Sequence, residues 1–299
     1  MDRYLSKITP STLSIDNGFS MGTGFSIREV KEISSMMAES TGIPYDHAPV
    51  SFLKRRLAYI YRKHNIRNTD IFKQMLETEE YKRLLLYDFP VDTTEMFRDP
   101  GFWRYLRSLL KCLNVNDRIN VWFPDVSTGE EVFSFLILVN ELGIRDKFSI
   151  ICQHPSEQRL NEVKNGIMNK KNIKVNSGNY VRIEGTGVFE DYYASEDTVF
   201  TVHSSLLKNI HTVQGHFLNT GAPENVGIVM FRNIMLYYDK EVSEMCVEKL
   251  GNALLPGGIM AIGTKEQLPG PFVEKLECIN SKEKIFRKHG FEIKWNNDR

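Results

Sequence analysis

The sequence predicts an α/β protein in which a small all-helical domain precedes a doubly wound parallel sheet. After Pro90, short apolar runs alternate with helical segments, and this alternation is typical of a doubly wound sheet. Before Pro90, apolar residues recur at helical spacing without strand-like alternation. The chain has 299 residues, of which 41% are hydrophobic, enough for two ordinary domains of roughly 100–200 residues each.

The N-terminal third is predicted to be a flexible arm followed by helices. Residues 1–26 are rich in Ser, Thr and Gly, which favours a loose arm. Residues 27–88 form the predicted helical domain, and Asn68 or Thr69 would cap its third helix. The apolar residues at helical spacing in the first two helices are Val30, Ile33, Met36 and Met37, then Leu53, Leu57, Ile60 and Tyr61.

Residues 89–299 are predicted to form a Rossmann-like domain. Helices are expected at Glu130–Glu141 and Lys240–Leu255, between the apolar runs. The segment 169–197 breaks this rhythm with three glycines among short β-prone pieces, and we interpret it as an irregular insertion. The predicted strands are Arg118–Phe123, Phe148–Cys152, Thr198–Val202, Gly227–Phe231 and Gly258–Ile262.

Composition excludes several classes of protein. The 38 basic and 38 acidic residues cancel, which argues against an overall basic nucleic-acid binder. The four cysteines form no CxxC pair, so neither a zinc site nor a disulfide scaffold is indicated. The N-terminus lacks the apolar run of a signal peptide, and Val132–Val139 is far shorter than the ~20 residues of a membrane span. We therefore expect a cytoplasmic protein without membrane insertion, bound nucleic acid or bound metal, and a monomer by default.

The first segment that could carry chemistry is Ser127–Glu131, directly after a predicted strand. Such a turn lies at the carboxyl edge of the sheet, where open α/β folds bind ligands. The alternative interpretation is an ordinary helix start, with Ser127 or Thr128 as the N-cap and a Glu three residues later completing a capping box. Both interpretations can hold together, because exposed amide groups and a nearby carboxylate can also bind a small ligand.

Two further segments are ambiguous when each is taken alone. In the run from Asp92 to Pro100, an Arg flanked by acids is usually a surface ion pair, and Pro100 suits the first position of a helix. In the run from Met230 to Tyr238, a strand ends in Arg-Asn. That ending either places polar groups at the carboxyl edge of the sheet or forms a turn in which the Asn bonds its own backbone.

Together these segments resemble the CheR-type chemotaxis-receptor methyltransferases. The family's Thr-x-x-Phe-Arg-(Asp/Glu)-Pro run stands here as Thr94, Phe97, Arg98, Asp99 and Pro100. Its Ser-Thr-Gly-Glu-Glu turn stands as residues 127–131, and its Arg-Asn strand end as residues 231–238. The tail also fits, with Pro-Gly-Gly at 256–258 and Gly-Thr-Lys-Glu at 263–266. The likeness runs in order from about residue 25 to residue 290.

The resemblance implies transfer of a methyl group from S-adenosylmethionine to glutamate side chains of a chemoreceptor-like protein, with S-adenosylhomocysteine as the product. It implies a Rossmann-like methyltransferase domain and no metal. Arg98 and Tyr237 are the catalytic candidates, Arg98 through its planar fork. The candidate cofactor contacts are Asp92, Thr94, Arg98, Glu130, Gln153, Ser204, Ser205, Asn233 and Ile234.

The sequence departs from the family pattern at the cofactor site. The family's Ala-Gly-Cys turn is Pro124-Asp125-Val126 here, which adds side chains where backbone usually approaches the ligand. The acid that would bind the ribose aligns with Gln153, and an Asn-Leu pair aligns with Ser204-Ser205. Losing such contacts at ~1–3 kcal/mol each would weaken binding by orders of magnitude. The alternative to an active enzyme is therefore a catalytically impaired CheR-like scaffold that binds a signalling partner.

A basic stretch in the helical domain suggests the partner surface. Residues 51–68 contain six basic residues and no acid. A solvated helix face would explain the pattern, but in the family this domain contributes to recognising the acidic helical bundle of the receptor, which a basic stripe suits. The candidate partner-binding residues are Lys54, Arg55, Arg56, Arg62, Lys63 and Arg67. His154 and His203 are expected near the cleft as structural residues, since a glutamate nucleophile is already ionised near neutral pH.

Overall fold

The computed structural model describes residues 24–91, 94–115, 117–169, 172–196 and 199–295. Most of the expected arm lies outside these ranges. The helices are α1 Ile27–Thr41, α2 Val50–Lys63, α3 Thr69–Leu76, α4 Glu79–Asp88, α5 Pro100–Lys111, α6 Glu130–Glu141, α7 Glu157–Lys164, α8 Ile173–Arg182 and α9 Lys240–Ala253. The strands are β1 Leu113–Asn114, β2 Ile119–Phe123, β3 Phe148–His154, β4 Ile167–Asn169, β5 Tyr193–Glu196, β6 Val199–Val202, β7 Ile210–Gln214, β8 Val226–Phe231, β9 Leu254–Ile262, β10 Leu276–Asn280, β11 Ile285–Lys288 and β12 Lys294–Trp295.

Helices α1 to α4 form a bundle with its own hydrophobic cluster, which ends at Phe89. Ser26 and Glu29 close a capping box at the start of α1. The predicted cap of α3 is confirmed, because the Asn68 side chain accepts a hydrogen bond of 2.9 Å from the Ile71 N–H. From Met96 onward, buried apolar residues belong to the clusters of the sheet.

The remainder of the chain is built on a seven-stranded sheet with the order β10-β11-β9-β8-β2-β3-β7. The five strands from β9 to β7 are parallel, and β10 and β11 form an antiparallel hairpin at one edge. The order reverses direction between β2 and β8, so the carboxyl ends of these two strands form the switch point at which such sheets bind ligands.

Both faces of the sheet are covered, as expected for parallel strands. Along β2, Val121 and Phe123 pack into one hydrophobic cluster while Trp122 packs into the other. This alternation follows from the two-residue period of a strand. Helix α6 agrees with the predicted Glu130–Glu141, and it is buried along nearly its whole length.

The prediction of Thr198–Val202 as a strand of the parallel sheet is wrong. That segment contains β6, which pairs antiparallel with β4 and β5 in a separate three-stranded sheet. The third parallel strand along the chain is β7, which the sequence did not reveal. The reason is composition, since the edge strand β7 reads Ile-His-Thr-Val-Gln and has no buried residue, whereas β6 alternates exposed and buried positions.

The segment 169–197, interpreted from sequence as irregular, contains helix α8 and strand β5. Glu141, at the end of α6, binds this segment at Tyr180 and Tyr192. The Glu141 carboxylate accepts hydrogen bonds from the hydroxyls of Tyr180 and Tyr192 and pairs with Arg107 at 2.6 Å. The insertion is thus fastened to the parallel-sheet core. Across the described ranges, no helix has both the length and the apolar character needed to cross a bilayer.

Candidate functional site

A deep cleft lies at the carboxyl edge of the parallel strands, at the switch point between β2 and β8. The loops after these strands form its floor, and the bundle of α1 to α4 forms its roof. Its lining includes residues that follow β2, β3 and β8, together with residues of the helical bundle. The roof residues are Ile43, Pro44, Tyr45, Ala48 and Phe52.

The cleft is organised around the buried guanidinium of Arg232, directly after β8, whose side chain is only 1% exposed. One terminal nitrogen of this group binds the Glu131 carboxylate at 2.7 Å. The other binds the Asp99 carboxylate at 2.7 Å and the Arg98 carbonyl at 3.2 Å. The guanidinium also lies 4.0 Å from the ring centre of Phe102. A single side chain therefore joins all three segments that the sequence indicated as a possible site.

The loop after β8 is fixed by a second buried group, the carboxylate of Glu266. One of its oxygens accepts hydrogen bonds from the N–H groups of Asn233, at 2.9 Å, and Gly263, and the other accepts from Leu236 at 3.2 Å. Asn233 has a positive φ of 61°, a conformation that Asn tolerates better than most residues. A Cβ on Gly263 would approach Glu266 Oε2 within 2.8 Å, so only glycine permits this contact. These hydrogen bonds to Glu266 hold the loop that carries Asn233, Ile234 and Tyr237, all of which lie on the cleft wall.

The loop after β2 differs from the predicted capping box. The N-cap of α6 is Gly129, with a φ of 92° and no side-chain cap, so the assignment of Ser127 or Thr128 as N-cap is wrong. Ser127 adopts a φ of 44°, and its hydroxyl donates a hydrogen bond to the Val91 carbonyl at 3.1 Å. A Cβ on Gly129 would collide with Phe133 at 2.9 Å. The loop therefore turns tightly under the cleft instead of capping the helix with a side chain.

The two glutamates that begin α6 point in different directions. Glu130, the sequence candidate for cofactor contact, is buried and accepts a hydrogen bond from the Thr128 hydroxyl. It does not line the cleft, whereas Glu131 does. Successive helical residues point about 100° apart, so only one of the pair can face the ligand side. Burial raises the pKa of Glu131, opposed by its pairing with Arg232.

The segment that precedes α5 supplies Thr94 and Arg98 to the cleft, as the sequence indicated. Helix α8 holds this segment from behind, because Asn176 accepts a hydrogen bond of 2.9 Å from the Met96 N–H and Asn179 donates one of 3.0 Å to the Met96 carbonyl. Arg98 is exposed on the cleft wall. Asp92, also a candidate, lies outside the described residues.

At the end of β3, the residue that faces the cleft is His154, not the candidate Gln153. The Gln153 side chain is fully buried on the opposite side of the strand. Its amide accepts a hydrogen bond from the Trp122 indole at 3.2 Å and donates to the Gly215 carbonyl and the Thr220 hydroxyl. His154 lines the cleft. Successive residues of a strand point to opposite faces, so the neighbour of Gln153 faces the cleft and Gln153 does not.

Ser204 and Ser205 also lie away from the cleft. They are exposed in the turn that follows β6, as is His203, which the sequence analysis expected near the cleft. The residue that reaches the cleft beyond the third parallel strand is His216, two positions after β7. This difference follows directly from the misidentified third strand. The hydrogen-bonding pattern of β7 with β3 was the only signal that could identify it, because its sequence is polar.

His154 and His216 are neutral, buried groups. The Ser156 N–H donates to His154 Nδ1 at 2.9 Å, so the ring proton of the neutral form is on Nε2, which lies 3.7 Å from Asp125 Oδ1. His216 Nε2 contacts the Tyr238 hydroxyl at 2.9 Å. Burial lowers the pKa of His154 to about 3 and that of His216 to about 4. Both rings are therefore uncharged near neutral pH.

The roof is tied to the rim of the cleft by direct contacts. The rings of Phe52 and Tyr237 lie 4.7 Å apart. His47 Nδ1 contacts Asp239 at 2.7 Å, and this hydrogen bond raises the pKa of His47. The helical bundle thus closes one side of the cleft, and Tyr237 lies at the junction.

The six basic candidates for partner binding have different environments. Arg56 donates hydrogen bonds to the carbonyls of Asp88, Phe89 and Pro90, and Lys63 pairs with Asp88 at 2.6 Å. These two basic side chains brace the end of the bundle. Arg55, Arg62 and Arg67 are exposed, and Lys54 is half-buried.

The chain is similar to known methyltransferases. The family model described as "CheR methyltransferase, SAM binding domain" matches residues 92–285. Cher3 of Pseudomonas putida, named as a methyltransferase, is 26% identical over 241 residues, covering 79% of this chain and 88% of Cher3. A chemotaxis protein methyltransferase of Borreliella burgdorferi is 21% identical over 270 residues, covering 85% of this chain and 93% of its own. Among solved structures, the N-methyltransferase NodS of Bradyrhizobium japonicum, in complex with S-adenosyl-L-homocysteine, aligns with a TM-score of 0.37 and 10% identity over 73% of this chain and 97% of NodS.

The Arg232 contacts predict a large loss of stability on substitution. In Arg232→Met, the carboxylates of Asp99 and Glu131 lose their shared partner, and we expect the free energy of unfolding to fall by about 3 kcal/mol. Urea-induced unfolding measures this change. The matched control is Arg287→Met, which removes an exposed pair with Glu277 and should cost below about 1 kcal/mol. Equal losses in the two variants would contradict a central role for Arg232.

The buried histidines predict a characteristic pH dependence of stability. The unfolded chain takes up a proton on each histidine below about pH 6.5, whereas folded His154 and His216 stay neutral until about pH 3 and 4. The unfolded state thus binds more protons, and the free energy of unfolding falls as the pH drops from 6.5 towards 4, by about 1.4 kcal/mol per pH unit for each ring. Asp125 and Glu131 have the opposite effect on stability, because burial raises the pKa of each carboxyl group. At pH values above the ordinary carboxyl pKa, the folded state holds these protons more tightly than the unfolded state, so their contribution to the free energy of unfolding rises as the pH drops.

The measurement is a series of unfolding curves between pH 6.5 and 5. His154→Gln should lower the slope of stability against pH by close to one proton. His211→Gln, which replaces an exposed histidine on β7, serves as the control and should keep the original slope. If His154→Gln keeps that slope as well, His154 is not a neutral buried group.

Proposed function

Because the chain belongs to the CheR methyltransferase family, we propose that it transfers the methyl group of S-adenosylmethionine to glutamate side chains of a chemoreceptor-like protein. The observation that carries the proposal is the convergence of three motif segments on one cleft through Arg232. Relatives named chemotaxis protein methyltransferases support a chemoreceptor as the target.

The residues of the cleft fit a cationic cofactor. The Glu131 carboxylate lines it and suits a positive charge of S-adenosylmethionine, while Val126 and Ile234 supply apolar surface. When bound, the cofactor supplies a methyl group that is already strongly electrophilic, so the protein mainly has to align the two reactants.

Arg98 and Tyr237 are the catalytic residues of the proposal. The Arg98 guanidinium, exposed on the cleft wall, can hold a carboxylate through two parallel hydrogen bonds. Burial raises the pKa of Tyr237, so its hydroxyl stays protonated near neutral pH and can donate a hydrogen bond. The acceptor glutamate is ionised at that pH, and the reaction therefore requires no general base. Thr94 and Asn233 line the cleft and complete the proposed cofactor contacts.

The proposed partner surface is the exposed basic face near α2. Arg55, Arg62 and Arg67 present positive charge to solvent, which complements an acidic helical receptor. Arg56 and Lys63 act within the protein instead, by bracing the end of the bundle beside the cleft. We therefore confine the partner contacts to Lys54, Arg55, Arg62 and Arg67.

The second candidate function is a scaffold that binds a signalling partner without methyl transfer. One observation favours it: the residue at the end of β3 that faces the cleft is a neutral histidine and not an acid. Without a carboxylate to hold the ribose, the protein would bind S-adenosylmethionine too weakly for methyl transfer. Cofactor binding thus separates the two functions.

Cofactor binding is tested by calorimetric titration with S-adenosylhomocysteine. An active enzyme should bind it with a micromolar dissociation constant and should incorporate labelled methyl groups into a receptor-containing membrane fraction. Arg98→Gln should reduce methyl incorporation at least about tenfold, since a charged hydrogen-bond pair is lost. The charge-matched control is Arg28→Gln on the exposed start of α1. No detectable binding by the unaltered protein would support the scaffold instead.

Charge reversal tests the partner surface. The double variant Arg55→Glu and Arg62→Glu should weaken binding to an acidic receptor fragment by about tenfold or more at low salt, and the effect should shrink as salt screens the charges. Arg28→Glu with Lys31→Glu places the same charge change on exposed positions of α1 and serves as the control. Unchanged affinity in the first variant, or equal weakening in both, would rule out this surface.

A further inference from the structure

Asp125 has hydrogen-bonding capacity that the protein itself does not use. It lies two residues after β2 and lines the cleft, with 26% of its side chain exposed. Within the described ranges, its carboxylate accepts one long hydrogen bond of 3.3 Å, from the Ser127 N–H. A carboxylate offers about four acceptor sites, and the Asp125 side chain lines the open cleft. The remaining sites are therefore available to a ligand.

The Asp125 side chain lies in the half of the cleft that contains His154 and His216. Its Oδ1 is 3.7 Å from His154 Nε2, and His216 lines the same cleft. These histidines follow β3 and β7, whereas Arg232 follows β8 on the other side of β2. In doubly wound sheets the sugar of a nucleotide lies towards the end of the second strand, where an acid binds its hydroxyls. Here the second strand is β3.

The end of β3 provides a donor where an acid would provide an acceptor. Because His154 Nδ1 is occupied by the Ser156 N–H, its cleft-side nitrogen, Nε2, carries the proton and can only donate. Vicinal hydroxyls bind best where they can both donate and accept, and the Asp125 carboxylate is the acceptor beside this donor. The neighbouring His216 Nδ1 is buried without a hydrogen-bond partner in the described part of the chain.

We propose that Asp125 binds the ribose diol of the cofactor from the loop after β2, with the His154 Nε2–H as the donor beside it, and so replaces an acid at the end of β3. The proposal rests on the proposed function, because it assumes an S-adenosyl ligand. Under this assignment the Pro124-Asp125-Val126 turn is an adaptation of the site, since it returns the carboxylate that the strand end lacks. Two other roles for Asp125, a loop brace and a partner for the cofactor's ammonium group, predict different results below.

The experiment compares two ligands by calorimetric titration: S-adenosylhomocysteine, and its analogue in which both ribose hydroxyls are replaced by hydrogen. The unaltered protein should bind the first ligand at least about tenfold more tightly than the second, as expected for hydrogen bonds to a charged group. Asp125→Asn, which preserves shape, should weaken binding of S-adenosylhomocysteine about tenfold or more and change the affinity of the analogue less than about threefold. Asp146→Asn, at an exposed position in the turn before β3, is the charge-matched control and should leave both affinities unchanged.

Each other outcome has a defined meaning. If the unaltered protein binds S-adenosylhomocysteine but does not prefer it over the analogue, the diol contact is absent and the inference is overturned without any variant. If Asp125→Asn weakens both ligands equally, Asp125 acts on the ammonium group, and if it weakens neither, it braces the loop. In both cases the inference fails while the proposed function stands. If the unaltered protein binds neither ligand, the proposed function itself fails.

Discussion

The site depends on one buried cation, the Arg232 guanidinium, which pairs with two carboxylates at once. Arg232 has a side chain that is 1% exposed, and an unpaired charge at that depth would cost several kcal/mol. The structure meets this cost by bringing Asp99 and Glu131 to opposite ends of one guanidinium over the Phe102 ring. The turn before α5 and the start of α6 are thereby held against the end of β8. The shape of the cleft follows from this requirement.

The two halves of the cleft are electrostatically different. The half around Arg98 and Glu131 contains the Arg232 guanidinium and the two carboxylates that pair with it, Asp99 and Glu131. The half around His154 and His216 contains neutral rings whose charging burial opposes, with Asp125 as its acid. An elongated ligand with a charged amino-acid end and a neutral nucleoside end matches this division. Tyr45 and Phe52 cover one side of the cleft.

Local sequence was sufficient for most of the fold. Periodicity predicted α6 to the residue, and the apolar runs predicted β2, β3, β8 and β9 because buried parallel strands are continuously apolar. Local sequence was insufficient where the burial of a segment did not follow from its composition. The polar edge strand β7 resembles a loop, while β6, in the small sheet, has the alternating apolar pattern of a strand. Only the pairing of β7 with β3 distinguishes the two.

The sequence by itself determined the fold class, the family resemblance and the placement of Thr94, Arg98, Asn233, Ile234 and Tyr237 near one edge of the sheet. Only the tertiary structure decided which neighbour of each pair faces the cleft, selecting Glu131 over Glu130 and His154 over Gln153. The physical reason is angular: a motif specifies a position along the chain, but a side chain's direction depends on the helix start or strand register. The same limit hid Arg232, because its role comes from carboxylates that are distant in sequence.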